Sequence, residues 1–198
     1  MPDLGRLPPL GASGALHVVV ESPRGSRVKL KWDPELGAIG LSRPLPVGLV
    51  YPFDWGFIPG TRAQDGDPLD ALVFWDVSSS PGVVLPCRAI GVVKLEQNRK
   101  GNGARVRNDR IIAVPTKHER GAALRSALDL PERLRDELVQ FFLASIAMEP
   151  KDPKVLGWGG PEEANAIVRA AIAAVRGGRA GRARRAARAA RTGPPRRR

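Results

Sequence analysis

The chain has 198 residues, enough for one globular domain or one domain with an appendage. Apolar residues make up 42% and charged residues 26%, ordinary values for a protein with a real core. The net charge of +12 is uneven: nine arginines and no acid fall in residues 177–198, leaving a formal +3 for the rest. That distribution excludes reading the whole chain as a basic nucleic-acid-binding domain.

The opening stretch, MPDLGRLPPLGASG, is rich in Pro and Gly without periodicity, so residues 1–15 read as a flexible arm. It lacks a cationic start followed by an apolar block, and so does not read as a secretory signal. Segments 16–21, 27–32 and 37–42 are short strand candidates separated by turn residues. In the second, Val28, Leu30 and Trp32 alternate with Arg27, Lys29 and Lys31, giving one apolar and one cationic face. Further strands are expected at 71–75, 83–96 and 104–114. Cys87, the single cysteine, falls in the apolar run 83–96 and reads as a buried, inert thiol; one cysteine excludes an internal disulfide or a multi-thiolate zinc site. Many strands at short spacing with no helical pattern between them predict an antiparallel barrel or sandwich.

After residue 125 the pattern changes. Asp129-Leu-Pro131-Glu132 predicts a helix start with Asp129 as the N-cap, and Leu134, Leu138, Val139, Phe142, Leu143 and Ile146 form a stripe through about Met148. A second helix is expected from Pro161, with Ala164, Ile167, Val168, Ala171, Ile172 and Val175 on one side. Two helices after the strands make the fold class α+β. Residues 177–198 are a low-complexity Arg/Ala-rich basic tail, read as disordered or as a solvated extension of the second helix. Its sharper reading is non-specific contact with nucleic-acid phosphates, without base stacking because no aromatic residue interleaves the arginines. No apolar run approaches the roughly 18–20 residues that cross a bilayer, so no membrane contact is expected and a cytoplasmic location is the expectation.

The segment richest in chemistry is Gln64-Asp65-Gly66-Asp67-Pro68-Leu69-Asp70. Three carboxylates fall within six residues just before an apolar strand, on a bend set by Gly66 and Pro68. Converging there, they would repel one another unless a cation joined them, and hard oxygen ligands suit Mg²⁺ or Mn²⁺. Asp-Gly is also an ordinary turn former, and that reading stays open. Lys29, Lys31 and Arg43 lie on early strands, with Glu21, Tyr51 and Trp55 near them in sequence. Acids facing such cations are what a phosphoanhydride-hydrolysing site requires, because cations and metals neutralise phosphate oxygens while water is activated.

The spacing of Glu21, Lys29, Arg43, Tyr51-Pro52 and Asp65-Gly-Asp67-Pro-x-Asp70-x-x-Val73 resembles the family I soluble inorganic pyrophosphatases. The resemblance covers residues 16–176. It implies a five-stranded OB-like β-barrel flanked by helices, with Mg²⁺-dependent hydrolysis of pyrophosphate to two phosphates. It further implies Asp65, Asp70 and Glu21 as metal ligands and Asp67 as the acid that helps deprotonate the attacking water. Lys29, Arg43, Tyr51, Trp55 and Arg110 would hold the phosphates. A homo-oligomer is the expected assembly.

Departures from the family pattern fall within the site. Lys31 stands where the family has Glu, and Trp55 where it has Tyr. Gln97 and Asn108 stand where carboxylates are expected, while Arg110 keeps the cationic role. Ser145-Ile146 replaces a Tyr-Lys pair. Glu96 and Asp109, each one residue away, would face the opposite side of the strand if the register holds. The alternatives to a diphosphatase are a hydrolase of another phosphoanhydride or a phosphate ester, and a catalytically impaired barrel serving as a nucleic-acid-associated binding protein.

Overall fold

Val18, Val19 and Val20 sit at the centre of the first strand, β1 (Leu16–Ser22), and none is accessible to solvent. A strand buried on both faces reads as an unbroken apolar run, and β1 is such a strand. It pairs on one edge with β4 (Asp54–Ile58) and on the other with β6 (Val84–Asn98). β4 continues to β5 (Leu69–Val73), β5 to β8 (Arg110–Pro115), and β8 back to β6. These five strands form a closed ring, antiparallel throughout except for the parallel β5–β8 pair. Two short strands, β7 (Arg105–Arg107) and β9 (Lys154–Gly159), extend β6, and a separate hairpin is made by β2 (Val28–Asp33) and β3 (Ala38–Pro44). Two helices complete the domain, α1 (Glu132–Ser145) and α2 (Pro161–Arg191). This computed structural model describes residues 3–99, 103–121 and 123–191.

Side chains from all five ring strands meet in one cluster that includes Val18, Val20, Ile58, Ala71, Val92 and Ile111, closed off by Ala164, Val168 and Ala171 of α2. Cys87 belongs to it, and burial pushes its thiol up to about 12. The alternate residues of β5, β6 and β8, among them Leu72, Ile90 and Ile112, pack with Leu138, Phe141 and Phe142 of α1. Both helices therefore bury the stripes expected of them.

Several expectations change. Residues 1–15 were expected to be loose, yet Leu4 is buried against Val19, Phe57 and Trp32. The Gly60 N–H donates to the Gly5 carbonyl, and the His17 N–H to the Pro9 carbonyl. The outer face of β1 is apolar and this segment covers it. Strands β4 and β9 were not expected, because Gly56, Gly157 and Gly159 interrupt their alternation. Gly56 is required where it stands: a Cβ there would lie 1.9 Å from the Val19 carbonyl oxygen. The strand expected over 104–114 is two, broken at Asn108-Asp109. Asp129 caps no helix; it lies in a turn capped by Ser126, and α1 begins after Pro131 without a side-chain cap. The helix ends at Ser145, three residues before the exposed Met148. Of the two readings of the basic tail, the helical one describes the chain as far as Arg191, and residues 192–198 lie outside the described residues. Among the described residues no helix is long and apolar enough to cross a membrane.

Candidate active site

The end of β1 fastens the cationic hairpin. Glu21 Oε1 accepts from the Trp32 N–H at 2.7 Å, and Ser22 Oγ accepts from the Leu30 N–H at 2.9 Å. These bonds set β2 so that Lys29 and Lys31 border a cavity of about 450 Å³. Lys29 pairs in register with Arg43 on β3, so two cations stand side by side. Arg43 is held in turn by Glu149 at 3.0 Å and by the Ser145 carbonyl.

The acidic bend has its own internal bonding. Thr61 Oγ1 donates to the Ile58 carbonyl and accepts from the Leu69 N–H, bracketing the loop between β4 and β5. Within it the Ala63 N–H donates to the Asp67 carbonyl, and Asp65 Oδ1 accepts from the Asp67 N–H. Gly66 has φ +99°, in the left-handed region that L side chains rarely adopt, and so makes the bend possible. Asp65, Asp67 and Asp70 consequently line the same cavity as Glu21, Lys29, Lys31, Asn108 and Arg110. A wider mouth of about 1050 Å³ shares Lys29, Lys31, Asp65, Asp67 and Lys151 with it and adds Arg43 and Gln97.

The third wall comes from β6 and β8. Gln97, Asn108 and Arg110 are all buried. Asp70 and Arg110 are register partners across the parallel β5–β8 pair, and the guanidinium Nη1 donates to both Asp70 Oδ2 and Asn108 Oδ1. The same guanidinium lies 5.2 Å from the Trp55 ring. Glu96 and Asp109 are turned elsewhere. Glu96 pairs with Arg105 at 3.1 Å, while Asp109 accepts from the Leu95 N–H and pairs with Arg107 at 2.8 Å.

Electrostatics of the cavity follow from burial and crowding. Burial raises Glu21 to about 7, the Trp32 N–H opposing and the Asp70 charge assisting. Burial also raises Asp65, again with Asp70 assisting. Lys29 is lowered by burial against the pull of Asp70. For Lys31, burial acts downward but the hydrogen bond and charge of Asp67, 2.8 Å away, outweigh it and leave the ammonium raised.

A hard divalent cation fits this donor set in kind: the ligands on offer are carboxylate oxygens, and burial together with the Asp70 charge raises the proton affinity of Asp65, which a bound cation would offset. Among the described residues, though, no three acidic, His or Cys side chains converge on one coordination point. Lys31 and Arg110 engage two of the carboxylates, Asp67 and Asp70.

Tyr51 and Trp55, expected at the phosphates, instead sit behind the cavity wall. Both are in the core cluster with α1, Tyr51 edge-on to Phe141 and Trp55 against Phe142. Burial raises the Tyr51 hydroxyl to about 12, and that hydroxyl bonds Ser22, the residue that fixes β2. Lys151, Arg62 and Arg99 line the mouth and were not anticipated. Lys151 enters because the turn after α1 returns beside β6, where the Asn98 N–H donates to its carbonyl at 2.6 Å.

Residues 18–176 match the family model described as inorganic pyrophosphatase. The inorganic pyrophosphatase of Thermus thermophilus is 40% identical over 165 residues, covering 82% of this chain and 91% of the relative. That of Saccharolobus solfataricus is 38% identical, covering 81% and 92%. The crystal structure of the Thermus thermophilus inorganic pyrophosphatase superposes with a TM-score of 0.80 at 38% identity, covering 88% of this chain and 99% of that one. A Coxiella burnetii inorganic pyrophosphatase superposes at 0.76 and 35%, covering 85% and 99%.

Proposed function

Because the chain belongs to the inorganic pyrophosphatase family, we infer that it hydrolyses inorganic pyrophosphate to two phosphates, with Mg²⁺ as the resident metal and Mn²⁺ as its substitute. It is a hydrolase of the phosphoanhydride bond. The observation that carries the assignment of residues is one cavity in which Asp65, Asp67 and Asp70 face Lys29 and Lys31.

Asp65, Asp70 and Glu21 would hold the metal, which when bound supplies charge neutralisation and a more acidic water. Lys29 and Arg43, adjacent across β2 and β3, bind the phosphoryl oxygens and orient the bridging bond. Lys31 engages Asp67 Oδ2, so Oδ1 is the oxygen that takes the proton from the attacking water. The water oxygen bonds to one phosphorus as the bridging P–O bond breaks, and the departing phosphate carries away the bridging electrons. Lys151 and the flanking arginines make the mouth cationic and draw in a tetra-anion.

Residues 16–176 are the catalytic domain in this reading, and residues 177–198 an appendage contacting polyanions non-specifically. A homo-oligomer is part of the same proposal, supported by exposed Leu36, Leu41 and Val47 on and beside the β2–β3 hairpin, and a cytoplasmic location agrees with a diffusible substrate. The test is phosphate release by the full chain from pyrophosphate, compared with nucleotides and polyphosphate, with Mg²⁺ and then with a chelator. Pyrophosphate is expected to be preferred and chelation to stop the reaction. A folded chain that releases no phosphate from pyrophosphate at any Mg²⁺ concentration overturns it.

A further inference from the structure

Arg110, expected at the phosphates, is engaged by protein groups on several sides. Its guanidinium is buried, its Nη1 is committed to two protein oxygens, and its face rests on the Trp55 ring. Backbone register puts it there: Arg110 opens β8 directly opposite Asp70 of β5. The neighbouring position that would add a carboxylate is Asn108, whose oxygen accepts from Arg110 instead. Gln97, also buried, adds no charge. Glu21, Asp65, Asp67 and Asp70 thus share the inner cavity with Lys29, Lys31, Arg110 and Lys151.

We propose that Arg110 is a resident counter-ion for Asp70, filling with a fixed guanidinium the charge position that a second divalent ion would otherwise take. The substrate-free site then loads metal through Asp65, and Asp70 joins it only when pyrophosphate is bound. A guanidinium is suited to this: it stays ionised at any working pH, and it donates to two oxygens while lying over an aromatic ring. Lys31 does the same less firmly for Asp67, since both partners are about half exposed. Asp70 is therefore no direct ligand of the substrate-free metal yet is needed in turnover, a split that a simple metal ligand would not show.

The inference rests on the pyrophosphatase reading, and its test reads metal binding without substrate. Mn²⁺ is titrated calorimetrically into the full chain in the absence of pyrophosphate, with thermal melting in parallel. Asp65→Asn is expected to lose Mn²⁺ binding, whereas Asp70→Asn, which leaves the Arg110 charge unbalanced beside the site, weakens it by only about tenfold. Arg110→Met is expected to bind Mn²⁺ about tenfold or more tightly, the scale of one nearby charge removed from a partly buried site. Its Tm should also rise more on Mn²⁺ addition than that of the unaltered chain. Equal loss of binding in Asp65→Asn and Asp70→Asn overturns the proposal, as does a folded Arg110→Met with unchanged affinity. Removing one partner of a buried pair can unfold a protein; if Arg110→Met does not fold, the two Asp variants decide alone. Phosphate release by the unaltered chain, measured beside these titrations, tells failure of the counter-ion apart from failure of the pyrophosphatase reading.

Discussion

Along the bend from Asp65 to Asp70 the cavity wall is acidic and held by short-range bonds; along β6 and β8, Gln97 and Asn108 offer neutral amides beside a buried guanidinium. The first wall is local, with every side chain within six residues of the others. The second joins positions 97, 108 and 110 through the pairing of three strands. What differs is the means of balancing charge. The acidic wall leaves a deficit for a mobile cation to fill, while the opposite wall carries its cation covalently. A site of this kind can lose carboxylates on one side without losing electrostatic balance, because the protein supplies the charge that metal would have supplied.

That contrast breaks if the acidic wall proves dispensable. Asp67→Asn is expected to lower kcat by about 10²–10⁴-fold, the worth of a positioned proton acceptor, while substrate-free metal affinity changes far less. Asp70→Asn should also cost most of the turnover, and Gln97→Ala should cost little. Steady-state rates for the three variants check this ordering, and equal, small effects would dissolve the distinction between the walls. Converting the second wall toward the first is a finer test: Gln97→Asp with Asn108→Asp should lower the Mg²⁺ concentration giving half-maximal activity. A metal titration at fixed pyrophosphate reads the shift. An unmoved midpoint would mean that these two positions do not face the metals.

Two changes away from both walls should leave hydrolysis intact. Deleting residues 177–198 is expected to spare activity and to abolish salt-sensitive retention on heparin, since the remaining chain carries a formal charge of only +3. On a nucleic acid, every phosphate that the tail no longer neutralises should reduce the salt slope by about 0.7–0.9. The smallest effect belongs to Cys87. With its thiol raised to about 12 by burial, it stays protonated in the native state where an unfolded thiol, near 9, would ionise. Alkylation at about pH 8 should be slow until denaturant is added. The sign for stability follows: above the unfolded thiol's pKa the unfolded state releases the proton first, so this group disfavours the fold as pH rises from about 9 toward 12.

The acidic bend was legible because its signal is local, three carboxylates and two turn formers ahead of an apolar strand. The cationic face of Lys29 and Lys31 was legible for the same reason, since alternation along β2 needs no knowledge of its partner. The placement of Gln97 toward the cavity and of Glu96 away from it followed from the period of two along β6, whereas Asn108 and Asp109 lie in the break between β7 and β8, where that period does not apply. The burial of Tyr51 and Trp55 was not legible because Phe141 and Phe142, which cover them, lie some 90 residues on. The ion pair of Arg110 with Asp70 depends on a parallel register between distant segments that no local pattern reveals. Leu4 escaped notice because the Pro- and Gly-rich composition around it masks one apolar anchor.

The closed ring also sets when this protein becomes active. Asp70 meets Arg110 across 40 residues of chain, Glu21 meets the backbone of Trp32, and Arg43 is held by Ser145 and Glu149. β9 joins β6 near residue 159, and α2 closes the inner core only after that. A chain still emerging from a ribosome therefore holds its acidic bend before the elements that fix Arg43 and close the core have appeared, and long-range pairings of this kind form slowly. Nascent chains truncated before residue 154 should bind no pyrophosphate, and competence should appear in one step once the last strand and helix are free. Premature termination then yields inert fragments instead of weakly active ones.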